Sequence, residues 1–413
     1  MDSQSLKTHI PKLVMTDYLF LFGMTLAVCW AVDAFNWQLE FRGFLKHLPL
    51  ILTLPAFVLA FVGFALFKKQ STIDIPNKTL NSIILLFATF VTIGSLYARY
   101  INGIQNSFLT LGMYAFMAPI SAWFIVRSQN PNKLIKCIVL IYVFWALLAI
   151  FMQFIKFGGL AVFHSREHLV LAGVSVLYFL APSKFSKFMV ISLIALGAFA
   201  GHKNTAYMIA LLLFFCFFMI SSIVYVEKIK DRFIRWMFWF KSIFLLAISS
   251  LTIGLAYLYV KSTLPDGNPG YRLHTYEIAW NKFLSSPIWG NGYTRAATEE
   301  FDLFTVATST QVLPTHSDPL DIIANGGLIG FMLWFSVYVI LIDRWYFLVR
   351  HPDSQSDKTL IPYIHASFCI TFSGLIACMF NPVITSSPNN AWACWAIVGI
   401  LIVTANGKPK TIR

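Results

Sequence analysis

Long apolar runs alternate along the chain with short polar stretches. Runs such as Ile83–Gly94 and Ala206–Val226 contain no charged residue. A helix rises about 1.5 Å per residue, so about 20 apolar residues are needed to cross a hydrocarbon core about 30 Å thick. The runs are continuously apolar, without the alternation typical of a transmembrane β-barrel. We therefore predict about twelve transmembrane helices, near residues 16–35, 48–67, 80–98, 108–126, 134–155, 169–181, 187–200, 204–226, 242–260, 320–342, 360–380 and 390–405.

The predicted fold is an all-α polytopic membrane protein, because helices satisfy every backbone polar group within lipid. Residues 1–413 form a single transmembrane domain, and a long loop over residues 261–319 contains short helices. The predicted helices at 169–181 and 187–200 are short, which leaves a tilted or re-entrant path open for them. The N-terminal apolar stretch is too long for a typical secretion signal, so we predict an uncleaved first helix.

Composition supports this class: 58% of the residues are hydrophobic, 12% are charged and the mean hydropathy is +0.70. With a cytoplasmic N-terminus, the inner segments hold 21 of the Lys and Arg residues and the outer loops hold 10. This is the positive-inside asymmetry, and it predicts two cytoplasmic termini and a long loop on the outer side. The basic cluster Lys228–Lys241 is then a cytoplasmic anchor at the lipid surface, and no nucleic-acid partner is expected.

Most of the candidate chemistry lies in the long loop. A turn-rich stretch is followed by an amphipathic helix, which we expect to rest on the outer surface of the membrane. Pro287 lies past the end of this helix, and Gly290 and Gly292 follow within a turn. The two glycines are compatible with an anion site, but an ordinary turn is the favoured interpretation. The predicted apolar stripe of the helix is Leu273, Tyr276, Trp280 and Phe283, with Arg272, Glu277 and Lys282 off the stripe.

His316 precedes the predicted start of a membrane helix. Asp318 suits the N-cap, Pro319 the first helical position and Asp321 the third. The helix dipole disfavours a charged imidazole at His316, and the nearby Asp318 favours one. A neutral His316 is able to accept a proton. The alternative is a histidine that has no role beyond its place in a loop.

Further polar residues belong to other predicted outer loops: His164, Arg166 and His168 to the third, and His202 and Lys203 to the fourth. A single cation at a helix end is commonly a snorkelling side chain. However, Arg166, Lys203 and Arg272 would all face one compartment. Three cations and a neutral histidine suit a phosphate-rich ligand and a hydroxyl that loses its proton. His164 and His168 have a spacing compatible with zinc, but a third ligand is lacking, and we predict no metal site.

The loop motifs resemble those of the O-antigen ligase / polysaccharide polymerase superfamily of bacterial inner-membrane proteins. The resemblance covers Arg272–Gly330 and is carried by Arg272, the sequence PIWGNG at 287–292, HSDPL at 316–320 and NGGLIG at 325–330. Two positions depart from the family pattern. Gly201-His202-Lys203-Asn204 stands where Ser-Arg is frequent, and Ser317 stands where Asn is frequent.

The resemblance implies an enzyme of the inner membrane, a glycosyltransferase that acts on the periplasmic face without a metal or another cofactor. The donor would be a glycan linked to undecaprenyl pyrophosphate, and the anomeric configuration would invert. The acceptor would be another glycan or lipid A-core, with membrane lipids and polysaccharide-export proteins as further partners. The implied catalytic residues are His316, as general base, and Arg272, on the pyrophosphate. The substrate-binding candidates are Lys203, Arg166, His164, His168, His202 and Asp318.

Three alternatives stay open at this point. One is a structural scaffold in a polysaccharide export complex, which would need neither His316 nor Arg272. Within the family, the departures favour a polymerase slightly over a ligase. Outside it, a transporter or flippase of lipid-linked oligosaccharide would carry charged or hydrogen-bonding residues deep within several membrane helices.

Overall fold

A computed structural model of the protein describes residues 13–34, 48–66, 77–102, 108–157, 166–200, 204–227, 268–290, 292, 317–352, 355, 357–380 and 388–404. These residues are almost entirely helical. The helices are α1 (Met15–Val32), α2 (Leu48–Leu66), α3 (Lys78–Asn102), α4 (Phe108–Ala115), α5 (Met117–Arg127), α6 (Pro131–Phe157), α7 (Glu167–Gly173), α8 (Ser175–Leu180), α9 (Lys184–Ala200), α10 (Asn204–Glu227), α11 (Asn268–Ser285), α12 (Asp318–Arg350), α13 (Ile361–Phe380) and α14 (Pro388–Thr404). A 3-10 turn, Lys358–Leu360, leads into α13.

The all-α membrane fold predicted from the sequence is confirmed. Each predicted span whose residues are described coincides with one helix or with two successive helices. Two predicted spans are each divided into two helices, one at Phe116 and one at Val174, and the predicted span at 320–342 contains a backbone break at Gly327. Within the described part of the chain, six helices are long and apolar enough to cross a membrane. The span near 242–260 lies outside the described residues, and the total of twelve stays a prediction.

The surface of the helix bundle is apolar, as expected for a protein solvated by lipid. Large side chains such as Phe22, Leu54, Leu86, Phe144 and Leu211 are each more than half exposed. In water, so much contiguous apolar surface would cause association, whereas lipid tails solvate it. The bundle is therefore mainly apolar both inside and outside, and its described charged residues gather toward the helix ends.

The core of the bundle forms around α1 and α7. The ring of Phe20 on α1 stacks on Phe124 of α5 at 4.4 Å and meets Phe57 of α2 at 5.4 Å. Every residue of α7 is buried, and this helix packs against α6, α10 and α13. A Cβ on Gly173 would lie 2.7 Å from the Cβ of Ala146. Only glycine permits this approach, which seats α7 at the centre of the bundle.

The polar residues define two ends of the bundle. At one, here the Asp33 end, the Arg166 guanidinium lies 2.8 Å from the Asp33 carboxylate. At the other, the Asp17 end, Asn132 Nδ2 donates to Asp357 Oδ2 at 2.8 Å. The predicted candidate residues that are described with their side chains, Arg166, His168 and Asp318, all belong to the Asp33 end. The candidate functional site is therefore sought there.

Candidate functional site

The structure describes part of the predicted site. His316, Lys203, His164 and His202 lie outside the described residues. Arg272 lies in the first turns of α11, which is described there as backbone only. The assignments of these five residues stay predictions. Arg166, His168 and Asp318 are described in full and are all buried.

Helix α11 runs parallel to the start of α12. Ala279 packs with Ala324 and Leu320, and further along both helices the Lys282 ammonium donates to Asn325 Oδ1 at 3.0 Å. Contacts that lie further along α11 also lie further along α12, so the two helices run in the same direction. Therefore the first turns of α11, which hold Arg272, lie on the same side of these contacts as Ser317, the residue that follows His316.

The packed face of α11 differs from the predicted stripe. A helix is present where the spacing predicts one, but its buried positions are Thr275 and Ala279, and Lys282 is half-buried beside them. Trp280, on the predicted stripe, is 49% exposed and contacts the Phe283 ring at 5.1 Å. Lys282 was predicted off the packed face and lies on it. Small residues let the two backbones approach, while the large aromatic side chains point outward.

The glycine turn docks into a break in α12. Gly327 has φ 60° and ψ −164°, which divides α12 into two segments. The second segment begins with the N–H groups of Leu328 and Ile329, which the break deprives of intrahelical acceptors. Leu328 N–H donates to the Pro287 carbonyl at 2.8 Å, and Ile329 N–H to the Ile288 carbonyl at 3.2 Å. The turn thus caps the second segment of α12, and the two sequence motifs form one structural unit.

Both glycines of this junction are required by its geometry. Gly290 has φ 74°, and a Cβ there would lie 2.2 Å from the Asn325 carbonyl oxygen. A Cβ on Gly327 would lie 2.4 Å from the Ile288 carbonyl oxygen. Positive φ already disfavours other residues, and these contacts exclude them without a backbone shift. The predicted turn is present over residues 286–290, and it packs against the helix break. The choice between an ordinary turn and an anion site stays a prediction.

Lys282 belongs to a polar group on the α11–α12 interface. Asn325 Nδ2 donates to the Asp321 carbonyl at 2.6 Å, which directs Asn325 Oδ1 toward the Lys282 ammonium. Burial lowers the pKa of Lys282 from 10.5 to about 8, and the Asp321 carboxylate opposes this shift. The interface therefore holds a cation, although burial disfavours the charged form of this side chain.

Helix α12 starts one residue earlier than predicted. Ser317 is the N-cap residue, so Asp318 is the first helical residue rather than the N-cap. The Asp318 side chain is fully buried and accepts a hydrogen bond from the Cys378 thiol on α13. This contact with a neighbouring helix replaces the expected cap. The role of Asp318 in substrate binding stays a prediction.

His168 lies inside the bundle. It belongs to the first turn of α7, so the segment predicted as loop is helical from Glu167 onward. Neither ring nitrogen has a hydrogen-bond partner among the described residues, and Cδ2 lies 3.9 Å from the position of a Cβ on Gly374. A substrate would reach His168 only through the packed helices, and its predicted binding role is not tested.

Arg166 and Asp33 form a buried ion pair. Their side chains are 9% and 1% exposed. Burial lowers the pKa of the Arg166 guanidinium from its ordinary value, and the Asp33 carboxylate opposes this shift. Arg166 thus ties the start of α7 to the end of α1. If Arg166 also binds substrate, as predicted, its guanidinium must contact the substrate and Asp33 at the same time.

Replacing Arg166 with methionine is expected to lower the free energy of unfolding by about 3–5 kcal/mol, because the Asp33 carboxylate would stay buried without its partner. The apparent unfolding temperature of the purified protein in nanodiscs checks this. Arg127→Met, which removes an exposed guanidinium, is the control and should cost about 1 kcal/mol or less. Adding Asp33→Asn to Arg166→Met should recover much of the loss; a further loss would contradict the ion-pair interpretation.

Two residues at this end were missed in the sequence. Lys282 is detectable in retrospect from the i, i+4, i+7 spacing of Thr275, Ala279 and Lys282, which share one face of a helix. Asp33 precedes Arg166 by 133 positions, so only the tertiary structure pairs them. Neither residue lies within the recognised motifs.

Comparison with known proteins supports the predicted family resemblance. Residues 157–335 match the family model described as O-antigen ligase. This segment contains α7, α11 and the start of α12, and therefore the whole α11–α12 junction. No curated protein matches the chain. The matched segment is less than half of the chain. Together with the loop motifs and the membrane-helix bundle, it supports the predicted resemblance to the O-antigen ligase / polysaccharide polymerase superfamily, whose members process glycans at membranes.

Proposed function

We propose that the protein transfers a glycan from undecaprenyl pyrophosphate to a hydroxyl acceptor at the Asp33 end of the bundle. The observation that carries this proposal is the parallel junction of α11 and α12. Arg272 shares the helical register of Thr275, Ala279 and Lys282, and His316 precedes the N-cap of α12. Because the two helices start on the same side of their contacts, the junction supports a shared site for Arg272 and His316.

The chemistry proposed for this site is a single displacement. The acceptor oxygen attacks the anomeric carbon while the bond from that carbon to the pyrophosphate oxygen breaks, which inverts the configuration. His316 takes the proton of the acceptor hydroxyl as a general base. The electron pair of the broken bond leaves with the lipid pyrophosphate, and the Arg272 guanidinium stabilises that growing charge. This scheme uses side chains alone and needs no metal.

The charge distribution supports a site on the outer face of the inner membrane. At the Asp33 end, the described cationic side chains are Arg166 and Lys282, both at least half-buried. Cytoplasmic ends of membrane proteins carry the excess of Lys and Arg. The Asp17 end would therefore be cytoplasmic, with the long loop in the periplasm. Its described cations are Lys78, Arg127, Lys133, Lys136, Lys184, Lys187, Arg344, Arg350 and Lys358.

The positions of the buried carboxylates weigh against transport of the lipid-linked oligosaccharide. Asp17, Asp33, Glu167, Asp318 and Asp321 are the buried carboxylates among the described residues. Each lies in the first turn of its helix or at its C-cap. A translocation path would place such groups midway along several spans. The distribution favours chemistry at one end of the bundle over passage through it.

Deletion of the gene tests the proposal and separates its two forms. Loss of a polymerase should leave glycans of a single repeat unit, whereas loss of a ligase should leave long chains on the lipid carrier. The departures at Lys203 and Ser317 favour the polymerase outcome. Electrophoresis of surface polysaccharide together with extraction of lipid-linked glycan distinguishes the two. Accumulation of donor on the cytoplasmic face alone would contradict both and support a flippase.

A further inference from the structure

We propose that the Lys282 ammonium binds a phosphate of the lipid-linked substrate, as a second cation on the same helix as Arg272. The inference rests on the proposed function and adds a residue that lies off the recognised motifs. Lys282 is half-buried on the face of α11 that packs against α12, at the level of the glycine junction. Its position, its charge and its surroundings each bear on this role.

Packing alone does not account for a lysine at this position. The face that it shares with Thr275 and Ala279 is otherwise closely packed, and methionine would fill a similar volume without a charge. Burial lowers the pKa of Lys282 to about 8, so folding disfavours its charged form. Groups retained despite such a penalty are frequently functional. A bound phosphate would favour the same charge that burial disfavours.

The neighbouring side chains hold the ammonium in place. Asn325 accepts from Lys282 at 3.0 Å and is itself fixed by its donation to the Asp321 carbonyl at 2.6 Å. The Asp321 carboxylate favours the charged form of Lys282. An ammonium carries three donor hydrogens, so contact with Asn325 is compatible with contact to a phosphate oxygen. The lysine is thus positioned before any substrate binds.

The surface next to Lys282 suits the lipid part of the same molecule. A patch of exposed apolar side chains surrounds the glycine junction, close to Lys282 in the chain or across the α11–α12 contact. Arg272 lies ten residues before Lys282 at the same register, about 15 Å along the helix axis. If the two long side chains reach the two phosphates of one pyrophosphate, the lipid-bearing phosphate would lie at Lys282 beside the patch and the sugar-bearing phosphate toward Arg272. The patch consists of Trp280, Leu284, Ile288, Trp289 and Leu328.

Binding of undecaprenyl pyrophosphate, the leaving group of the proposed reaction, tests the inference on full-length protein in nanodiscs. Lys282→Met should weaken binding about 10- to 100-fold, as expected for loss of a charge-assisted hydrogen bond of about 1.5–3 kcal/mol. Lys282→Arg should retain most of the affinity. Lys184→Met, at an exposed lysine of the Asp17 end, should bind as the wild type does. The apparent unfolding temperature of Lys282→Met should not fall.

The outcomes that overturn the inference are distinct from failure of the proposed function. Wild-type protein that does not bind undecaprenyl pyrophosphate contradicts the proposed function itself. If the wild type binds and Lys282→Met binds equally well, Lys282 has no role in binding. Equal loss of phosphatidylglycerol binding in Lys282→Met would assign the lysine to ordinary lipid headgroups. A lower unfolding temperature in both Lys282→Met and Lys282→Arg, with lipid binding retained, would assign it to packing alone.

Discussion

Replacing His316 with alanine is expected to reduce the rate of glycan transfer by about 10²- to 10⁴-fold, the contribution of a positioned general base. The loss should appear in kcat, because the base acts on the acceptor proton during bond formation and contributes little to donor binding. Arg272→Ala should reduce kcat by about 10²- to 10³-fold, comparable to loss of one donor to a developing oxyanion. Single-turnover transfer with purified lipid-linked donor measures both.

The controls for this prediction come from the Asp17 end. His351 is an exposed histidine just past the C-terminus of α12, and Arg127 is an exposed arginine at the end of α5. His351→Ala and Arg127→Ala should transfer glycan at the wild-type rate. Arg272→Lys should recover part of the activity, since lysine retains the charge without the planar fork that binds two phosphate oxygens. Normal transfer by both His316→Ala and Arg272→Ala would refute the catalytic assignment.

The positions of the membrane helices were predictable because hydropathy reports directly on transfer into lipid. The span predicted at 204–226 is α10, Asn204–Glu227, and that at 360–380 is α13, Ile361–Phe380. The interruptions at Phe116 and Val174 were not predictable in this way, since most residues around each break are apolar. A break that other helices stabilise leaves little trace in a hydropathy profile.

The packed face of α11 was mispredicted for a physical reason. In water, large apolar side chains face the core, and the spacing of Tyr276, Trp280 and Phe283 would then define the buried stripe. At a membrane, lipid solvates aromatic side chains, and small residues bring the helices together. The buried face is therefore Thr275 and Ala279, with Lys282 beside them. The loop motifs correctly indicated a helix, a turn and a helix start, but not that the turn docks into the helix break.

Replacing Gly290 with alanine is expected to open the α11–α12 junction and to lower transfer at least about 10²-fold, the cost of misplacing catalytic groups by about 1 Å. The new Cβ would meet the Asn325 carbonyl oxygen at 2.2 Å, a distance that backbone atoms cannot tolerate. Gly327→Ala should act alike, through the Ile288 carbonyl oxygen at 2.4 Å. Hydrogen exchange of the Leu328 and Ile329 amides reports on the junction directly, because the docked turn supplies their acceptors.

Replacing Gly292 with alanine is a control that introduces backbone strain without disturbing the docking contact. It has nearly the same dihedral, φ 75°, but a Cβ there would lie 3.9 Å from Ala98, at ordinary contact distance. Gly292→Ala should therefore introduce strain of about 1–2 kcal/mol while leaving the Leu328 and Ile329 amides protected. Faster exchange together with slower transfer in Gly290→Ala, but not in Gly292→Ala, would tie activity to the docked turn. If Gly290→Ala loses its amide protection but keeps its activity, the junction does not position Arg272 and His316, and their shared site would need another origin.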